Sequence, residues 1–398
     1  MRTLLSGQGS QASVGSGFFV GRQGWIVTNY HVVSQMALQP DRYRLTYVGA
    51  DGRQGPLELL AFDAAHDLAV VRPVQKPASP IAGMGLRPHS EPMNKGEHIY
   101  SLGNPLDVGF AVVEGTYNGL VDRGFHPTIF FSGSLNPGMS GGPALDSEGR
   151  VMGVNVATRL DGQQVSFLVP AQFADSLLAQ AAKASPIKVA AYPELTRQLM
   201  VHQQELTRRF MAQPWRTAGH ARYKVPVPQE QFMRCWGNSS SPEDKGLEFE
   251  RSECSMNQSV YISSGLYTGN LRTQHEIYDG SKLGPLRFAR QYSRSFANEY
   301  FGGGMQRTAA RCSERFIDSG GLPLRAVLCM NAYKKLPGLY DMGVLVATVS
   351  DDIAGMQGRF DAKGVSYDNA MKLAEFYLKG YGWMQTPQAS TDAARPSR

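Results

Sequence analysis

The sequence predicts a two-part protein in which an all-β first half, a barrel or a sandwich, precedes an α+β second half. Three observations support this. From about residue 14 to residue 170, short apolar runs are separated by glycine-bearing turns, with no helices alternating between them. The net charge is −1 over residues 1–184 and +7 over residues 185–398. All four cysteines lie in the second half. The two halves should therefore have different partners.

The composition excludes several classes of protein. The chain has 398 residues, 42% apolar and 19% charged, which is too few charges for a disordered or coiled-coil protein and enough length for more than one core. No run approaches the roughly 18 consecutive apolar residues that a membrane span needs, so we expect no transmembrane segment.

Each element of the first half follows from a local pattern. Apolar runs bounded by turn residues predict strands, and they occupy residues 17–20, 25–27, 44–48, 68–71, 99–102 and 151–154. Pro170 then opens a helix over 171–182, because its apolar residues recur on one face.

The second half begins with a linker at 183–193 and a helix over 194–213. The apolar stripe of that helix must be buried against one of the two halves, and it comprises Leu195, Leu199, Leu206 and Phe210. Strands are then expected at 223–236, 246–263, 270–279, 312–318, 323–333 and 339–350, with helices at 285–299 and 368–380. We therefore divide the chain into a first domain (12–184), a linker and helix (185–214), an α+β accessory domain (215–385) and a disordered tail (386–398).

The cysteine spacing indicates a compartment. Without a C-x-x-C pair, the spacings suit two local disulfides, Cys235–Cys254 and Cys312–Cys329, the alternative being free buried thiols. Disulfides predict a periplasmic or secreted protein. However, the first residues lack the apolar core of a signal peptide, so either that peptide lies upstream or the protein is cytoplasmic.

Residues 136–143, Asn-Pro-Gly-Met-Ser-Gly-Gly-Pro, have the pattern of a nucleophile loop. A serine nucleophile needs an exposed hydroxyl on a tight turn and N–H groups that point at the developing oxyanion. Glycines at 138, 141 and 142 permit such a backbone. The alternative is a glycine-rich turn in which Ser140 is incidental.

Two further residues complete a possible catalytic set. His31 follows an apolar strand and could stand at the rim of a barrel, although a lone histidine there is often structural. Asp67 precedes a buried strand and could hold a histidine in one tautomer, although it could equally be a turn residue. The chain order His31, Asp67, Ser140 is that of the chymotrypsin-like fold.

The chain resembles the HtrA/Deg-type trypsin-like serine proteases over residues 12–182. The resemblance rests on residues 15–18, 28–33, 67–70, 102–105, 138–143 and 153–155. It implies two six-stranded β-barrels, with His31 as general base, Asp67 as orienting acid and Ser140 as nucleophile. It also implies an oxyanion hole formed by the N–H groups of Gly138 and Ser140, polypeptide substrates, and no cofactor or metal.

The resemblance extends to a specificity pocket. Ser134 matches its base, and its two walls match Val156, Ala157 and Thr158 on one side and Ser166 and Phe167 on the other. No acidic or basic side chain stands among these residues, so we expect a small or medium apolar residue before the scissile bond. The second half shows no PDZ peptide-binding loop, so neither PDZ regulation nor trimeric assembly is implied.

The second half also carries clustered arginines. They recur at helical spacing as Arg287, Arg290 and Arg294, and again as Arg307, Arg311 and Arg315. Basic and aromatic residues interleaved in this way favour an anionic partner, such as an envelope polymer, a lipid surface or an acidic protein. The alternative is an ordinary solvated face, and no specific nucleic acid is expected.

These observations predict a serine endopeptidase, a hydrolase that acts through an acyl-enzyme, with a C-terminal domain for substrate choice or regulation. The alternative is a catalytically inactive protease fold that serves as a binding scaffold. Because the pattern of the first domain, with its closing helix, ends by Ala182, cutting the chain near Ser185 is expected to leave it folded.

Overall fold

The structure is a computed structural model that describes residues 1–75, 81–158, 164–217, 222–241, 243, 246–296 and 304–384. The expected disordered tail, 386–398, lies outside these residues. In the described part of the chain no helix is both long and apolar enough to cross a membrane.

The first half is built mainly from short strands. They are β1 (Arg2–Leu5), β2 (Gln11–Val14), β3 (Phe18–Val20), β4 (Trp25–Thr28), β5 (Tyr43–Val48), β6 (Gln54–Asp63), β7 (Leu68–Pro73), β8 (His98–Gly103), β9 (Ala111–Leu120), β10 (Ile129–Phe131), β11 (Pro143–Leu145), β12 (Val151–Thr158) and β13 (Ser166–Pro170). Two helices accompany them, α1 (Tyr30–Leu38) and α2 (Ala171–Ala181), with a 3-10 turn at Pro105–Asp107.

These strands form two sheets. The first has the order β2-β1-β5-β6-β7-β4-β3, and the second is a closed barrel in the order β10-β13-β12-β11-β8-β9. Helix α2 packs against β6 and β7 of the first sheet and β12 and β13 of the second. The expected chymotrypsin-like fold class is confirmed. The first unit differs from the expected six-stranded barrel. It is an open sheet of seven strands with β2 and β3 at its edges, because β1, at the start of the chain, pairs with both β5 and β2.

The region around His31 differs from the expectation in one respect. His31 does not end a strand, because β4 stops at Thr28 and His31 is the second residue of α1. The apolar residues that follow it are buried against the first sheet, namely Val32, Val33, Ala37 and Leu38. His31 is therefore held by a helix and by the core beneath that helix.

The helix after the linker, α3 (Tyr192–Met211), joins the two halves. Its predicted apolar stripe is buried. Leu195 and Leu199 lie in the core of the first sheet, and Leu206 and Phe210 lie in the core of the second half. The first of these cores also contains second-half residues, including Ile262 and Leu336. The core of the first sheet is therefore shared by the two halves, and α3 contributes to both cores.

The second half is an α+β unit, as expected. Its strands are β14 (Arg216–Thr217), β15 (Tyr223–Lys224), β16 (Pro226–Val227), β17 (Met233–Ser239), β18 (Glu248–Met256), β19 (Val260–Ser263), β20 (Leu266–Thr268), β21 (Asn270–Asp279), β22 (Arg311–Ser319), β23 (Leu322–Ala332), β24 (Tyr340–Thr348), β25 (Ala354–Val365) and β26 (Gly382–Trp383). Its helices are α4 (Pro285–Ser295) and α5 (Tyr367–Leu378).

One antiparallel sheet of seven strands dominates this half, in the order β17-β18-β21-β25-β24-β23-β22. Its central strand, β25, was not expected from the sequence, and the runs expected at 223–236 and 246–263 are each divided into shorter strands. The disulfides Cys235–Cys254 and Cys312–Cys329 join residues that face each other across neighbouring strands. Each disulfide ties one edge strand, β17 or β22, to the strand beside it.

Candidate active site

The loop that carries Ser140 requires its glycines. Gly138 and Gly141 have φ angles of +97° and +85°, a region that side chains disfavour. A Cβ on Gly138 would also collide with the carbonyl of Asn104, and one on Gly141 with the carbonyl of Ser16. Gly142 has an ordinary φ, but a Cβ there would strike the carbonyl of Leu102. The loop is therefore specified both by backbone conformation and by close packing.

Ser16 ties the first sheet to this loop. Its Oγ donates to the carbonyl of Gly138 at 2.7 Å, and its N–H donates to the carbonyl of Ser140 at 2.7 Å. The same Oγ accepts from the N–H of Asn104 at 3.0 Å. Ser16 lies in the motif 15–18, but its hydrogen bonds to this loop were not expected from the sequence.

Asn155 of β12 supports the loop from the closed barrel, and its role was also not expected from the sequence. The buried side chain accepts from Ser101 Oγ at 2.8 Å and donates to the carbonyls of Leu102 at 3.0 Å and Met139 at 3.3 Å. Its backbone carbonyl accepts from the N–H of Gly141 at 2.9 Å. Two of these contacts, to the Met139 carbonyl and from the Gly141 N–H, hold the residues on both sides of Ser140.

We expect Asn155→Ala to lower the free energy of unfolding by about 1–3 kcal/mol, because three buried polar groups lose a partner. The labelling rate of Ser140 by a fluorophosphonate should fall as well, since Met139 would no longer be held. Urea unfolding and labelling kinetics measure the two effects. Ser101→Ala is the matched control because it removes only one of the bonds. A labelling rate that equals that of the Ser101 variant would contradict a positioning role for Asn155.

His31 and Asp67 are joined by two hydrogen bonds. His31 Nδ1 lies 2.6 Å from Asp67 Oδ2, and the N–H of His31 donates to Asp67 Oδ1 at 2.8 Å. The carbonyl of Asp67 accepts from the N–H of Tyr30 at 3.1 Å. One aspartate therefore orients the imidazole and also satisfies free N–H groups in the first turn of α1. Asp67 has a φ of +55°, which aspartate tolerates better than most residues.

The environment of His31 favours its protonated form. Burial alone would lower its pKa, but the charge of Asp67 and its hydrogen bond to the ring outweigh burial and raise the pKa above the usual value. An aspartate at this position therefore stabilises an imidazolium that forms when the ring accepts a proton.

Ser140 lies close to this pair but is not bonded to it. Its Oγ donates to the carbonyl of Val156 at 3.3 Å, and none of the hydrogen bonds of the described residues joins it to His31. A Cβ placed on Gly15 would come within 3.0 Å of both the Ser140 carbonyl and the side chain of Val32, so the loop lies beside the residue after His31. Within the described chain, the N–H groups of Gly138 and Ser140 have no acceptor.

The residues expected in the specificity pocket have different environments. Ser134 is exposed, whereas Ser166 is buried and its Oγ accepts from the N–H of Leu135 at 3.2 Å. Val156 and Phe167 line a cavity of about 780 Å³ that Ser134 does not line. The side chains of Ala157 and Thr158 lie outside the described residues.

A hairpin of the second half, formed by β19 and β20, contacts the helix that carries His31. The ring of Tyr261 meets that of His31 edge-on, with 6.1 Å between ring centres. The buried Tyr30 donates its hydroxyl to the carbonyl of Ile262 at 3.1 Å. Sequence reasoning missed this contact, because no local pattern in 260–268 indicates a distant helix as its partner.

Comparison with known proteins identifies the first half. Residues 15–154 match the family model of the trypsin-like peptidase domain. Over these residues the first half is similar to trypsin-like peptidase domains of the HtrA type, and it is called the peptidase domain below. The chain is 31% identical over 180 residues to a probable periplasmic serine endoprotease, DegP-like, from Marinomonas sp., covering 44% of this chain and 36% of that one. It is 30% identical over 206 residues to the putative serine protease HhoB of Synechocystis sp., covering 48% and 47% respectively.

Solved structures are also similar to part of the chain. A serine endoprotease from Yersinia pestis is 22% identical with a TM-score of 0.39, covering 46% of this chain and 62% of that one. The HtrA-type protease AlgW with a decapeptide is 24% identical with a TM-score of 0.38, covering 44% and 53%. The chain spans less than half the length of the two curated relatives named above.

Three histidines meet where the peptidase domain touches α3. The rings of His66 and His126 have centres 4.5 Å apart, and His126 Nε2 lies 3.2 Å from His202 Nδ1. His66 is adjacent in sequence to Asp67 and its Nδ1 lies 2.7 Å from Asp63. Burial, and then the neighbouring His66 and His202, lower the pKa of His126 to about 3. Burial is also the largest cause of the lowered pKa of His202.

We expect the protein to lose stability as the pH falls from about 6.5 toward 3. In this window an unfolded chain binds protons at His126 and His202 that the folded protein does not, so stability falls with decreasing pH. The fully buried His275, whose pKa burial lowers to about 3, adds to the effect. Urea midpoints at pH 7.5 and 5.0 measure it, and His126→Gln should reduce the difference between them. Equal midpoints at the two pH values would contradict this prediction.

Proposed function

We propose that the protein is a serine endopeptidase that hydrolyses peptide bonds of polypeptides through an acyl-enzyme. The observation that carries the proposal is the pair of hydrogen bonds that Asp67 makes to His31 beside the glycine-specified loop of Ser140. Such an arrangement suits a base that is held in one tautomer and a serine on a rigid turn. The peptidase-domain match and the relatives named as serine proteases support it.

In this mechanism His31 Nε2 accepts the proton of Ser140 Oγ as that oxygen attacks the substrate carbonyl. The N–H groups of Gly138 and Ser140 stabilise the oxyanion, and the imidazolium then protonates the leaving amine. A water molecule, deprotonated by His31, hydrolyses the acyl-enzyme and restores Ser140. Because Ser140 Oγ donates to Val156 in this structure, its side chain must rotate before the first step.

That same hydrogen bond favours the second candidate, an inactive protease fold that serves as a binding scaffold. A fluorophosphonate probe separates the two, because it reacts only with an activated serine. Full-length protein should become labelled on the peptide that contains Ser140, as mass spectrometry would show, and His31→Ala should not. The absence of labelling at neutral pH would favour the scaffold.

The domain division at 12–184, 185–214 and 215–385 is part of this proposal, with the last unit directing substrate choice or regulation. A small or medium apolar residue before the scissile bond is proposed because Val156 and Phe167 line the cavity beside Ser140. Periplasmic or secreted localisation is proposed from the two disulfides and from the printed description of the Marinomonas relative as periplasmic.

An anionic partner of the second half is proposed only for α4. Arg287, Arg290 and Arg294 are exposed on this helix, and none has an acidic partner among the described residues. The second arginine group is less suitable, because Arg307 pairs with Asp341 at 2.6 Å. Of the aromatic residues that follow the first group in the sequence, Tyr300 and Phe301 lie outside the described residues.

A further inference from the structure

A cavity of about 780 Å³ lies between the peptidase domain and the second half, and most of its lining residues have no role in the proposed mechanism. Its peptidase side is formed by Asp67, Val156, Phe167 and the loop 121–128. Its other side is formed by residues 256–260 and by Arg234 of β17. A ligand that fills this cavity would therefore contact both the peptidase domain and the second half.

The cavity adjoins the reacting groups. Asp67 lines it and is hydrogen-bonded to His31, and Val156 lines it while its carbonyl accepts from Ser140 Oγ. Val156 and Phe167 are also the expected walls for the residue before the scissile bond. A polypeptide bound for attack by Ser140 would therefore extend from this position into the cavity.

The second half holds one wall of the cavity in place. Gln258 Oε1 accepts from the N–H of His126 at 2.9 Å, and its Nε2 donates to the His126 carbonyl at 3.1 Å and to Thr128 Oγ1 at 3.0 Å. The loop is also held by Arg209 of α3, which donates to the carbonyl of Phe125 at 2.9 Å. The cavity is thus a built feature with fixed walls.

The free charges around the cavity are mostly positive. Lys95, Arg123 and Arg234 line it, and none of the three has an acidic partner among the described residues. Two carboxylates line the cavity. Asp67 is hydrogen-bonded to His31, so Asp122 is the only lining carboxylate that could offset these three cations. The remaining lining includes apolar side chains, among them Phe130, Val165 and Phe167.

We propose that this cavity binds the part of the substrate before the scissile bond, and that it selects acidic side chains next to apolar residues. Arg123 and Arg234 are then specificity-determining residues, one from each half of the chain. The apolar wall accepts the neighbouring side chains of the substrate, and the unpaired cations attract its carboxylates. The proposal rests on the proposed function for the identity of the occupant, since a scaffold would bind the same chemistry without cleaving it.

Binding to the full-length Ser140→Ala protein tests the proposal without cleavage. The probes are two fluorescein-labelled octapeptides of Ala, Val and Leu that differ only in carrying two Asp or two Asn. The Asp peptide should bind about threefold to tenfold more tightly at low ionic strength, and added salt should narrow the difference. In both Arg123→Glu and Arg234→Glu, the affinity for the Asp peptide should be no higher than the affinity for the Asn peptide. Lys372→Glu, an exposed change on α5 away from the cavity, should keep the preference for the Asp peptide.

Equal binding of the two peptides would overturn the proposal, as would a preference for Asp that survives both arginine reversals. Thermal melting of each variant establishes that it is folded before its peptide binding is measured. Failure of the proposed function is seen separately, as absent fluorophosphonate labelling of Ser140 in the unmodified chain. If the cavity prefers the Asp peptide but Ser140 is not labelled, the protein is an inactive protease fold that serves as a binding scaffold.

Discussion

Replacing Ser140 by alanine should lower the turnover of unfolded casein by a factor on the order of 10⁴ to 10⁶, because nucleophile and base act as a unit. His31→Ala should lower the turnover of casein by a similar factor. The hydrolysis of casein at neutral pH, followed by release of soluble peptides, measures the loss. The melting temperature should hardly change for Ser140→Ala, since Ser140 is only half-buried and its hydroxyl makes one long hydrogen bond.

Asp67→Asn is the informative companion variant. Asparagine tolerates the positive φ of residue 67 and keeps an oxygen for the N–H of His31, so the fold should survive. The ring of His31 would lose its anionic partner, and turnover should fall by about 10⁴. Casein cleavage at the normal rate by Ser140→Ala would show that the assignment of the nucleophile is wrong.

Ending the chain after Ser185 should prevent stable folding, contrary to the expectation from sequence. The core of the first sheet contains side chains from beyond that point, namely Ala191, Leu195, Leu199, Val260, Ile262, Leu266, Tyr333, Leu336 and Leu339. Their removal would uncover side chains of the first half in this core, including Tyr30, whose hydroxyl donates to the carbonyl of Ile262. Uncovering four such side chains at about 1.5–3 kcal/mol each would cost about 6–12 kcal/mol, which is comparable with the whole stability of a domain.

Thermal melting and fluorophosphonate labelling of residues 1–185 measure this effect. A chain that ends after Ala212 is the graded control, because it keeps Leu195 and Leu199 but still lacks the hairpin that contacts Tyr30. Its stability should lie between those of the shorter and the full-length chains. A 1–185 fragment that melts within a few degrees of the full chain would refute the shared core.

The conformation of the loop that carries Ser140 was predictable because its requirements are local. A tight turn with positive φ and close carbonyls admits only glycine at 138 and 141, so the sequence pattern is itself the structural requirement. The fold class of the peptidase domain was predictable for a related reason, since short apolar runs between turns mark antiparallel strands. The chain order of His31, Asp67 and Ser140 then selected one fold.

The missed features depend on distant contacts. Strand β25 contains Gly355, Gly358 and Gly364, which argue against a central strand on local grounds. A Cβ on Gly358 would collide with the hydroxyl of Tyr381, so that glycine is required by close packing from the end of the chain. The contact between Tyr261 and His31 likewise joins residues 230 positions apart, and no local pattern reports it.

The positions of the two disulfides have a consequence for association between molecules. They fasten the two opposite edges of one sheet, so a thiol reductant would loosen the sheet from both sides at once. Each loosened edge would present unpaired backbone groups to a second molecule. Because one molecule would then carry two such edges, pairing between copies would not close on itself and would continue as an open chain. Oxidation of four cysteines would thus limit polymerisation as well as stabilise the fold.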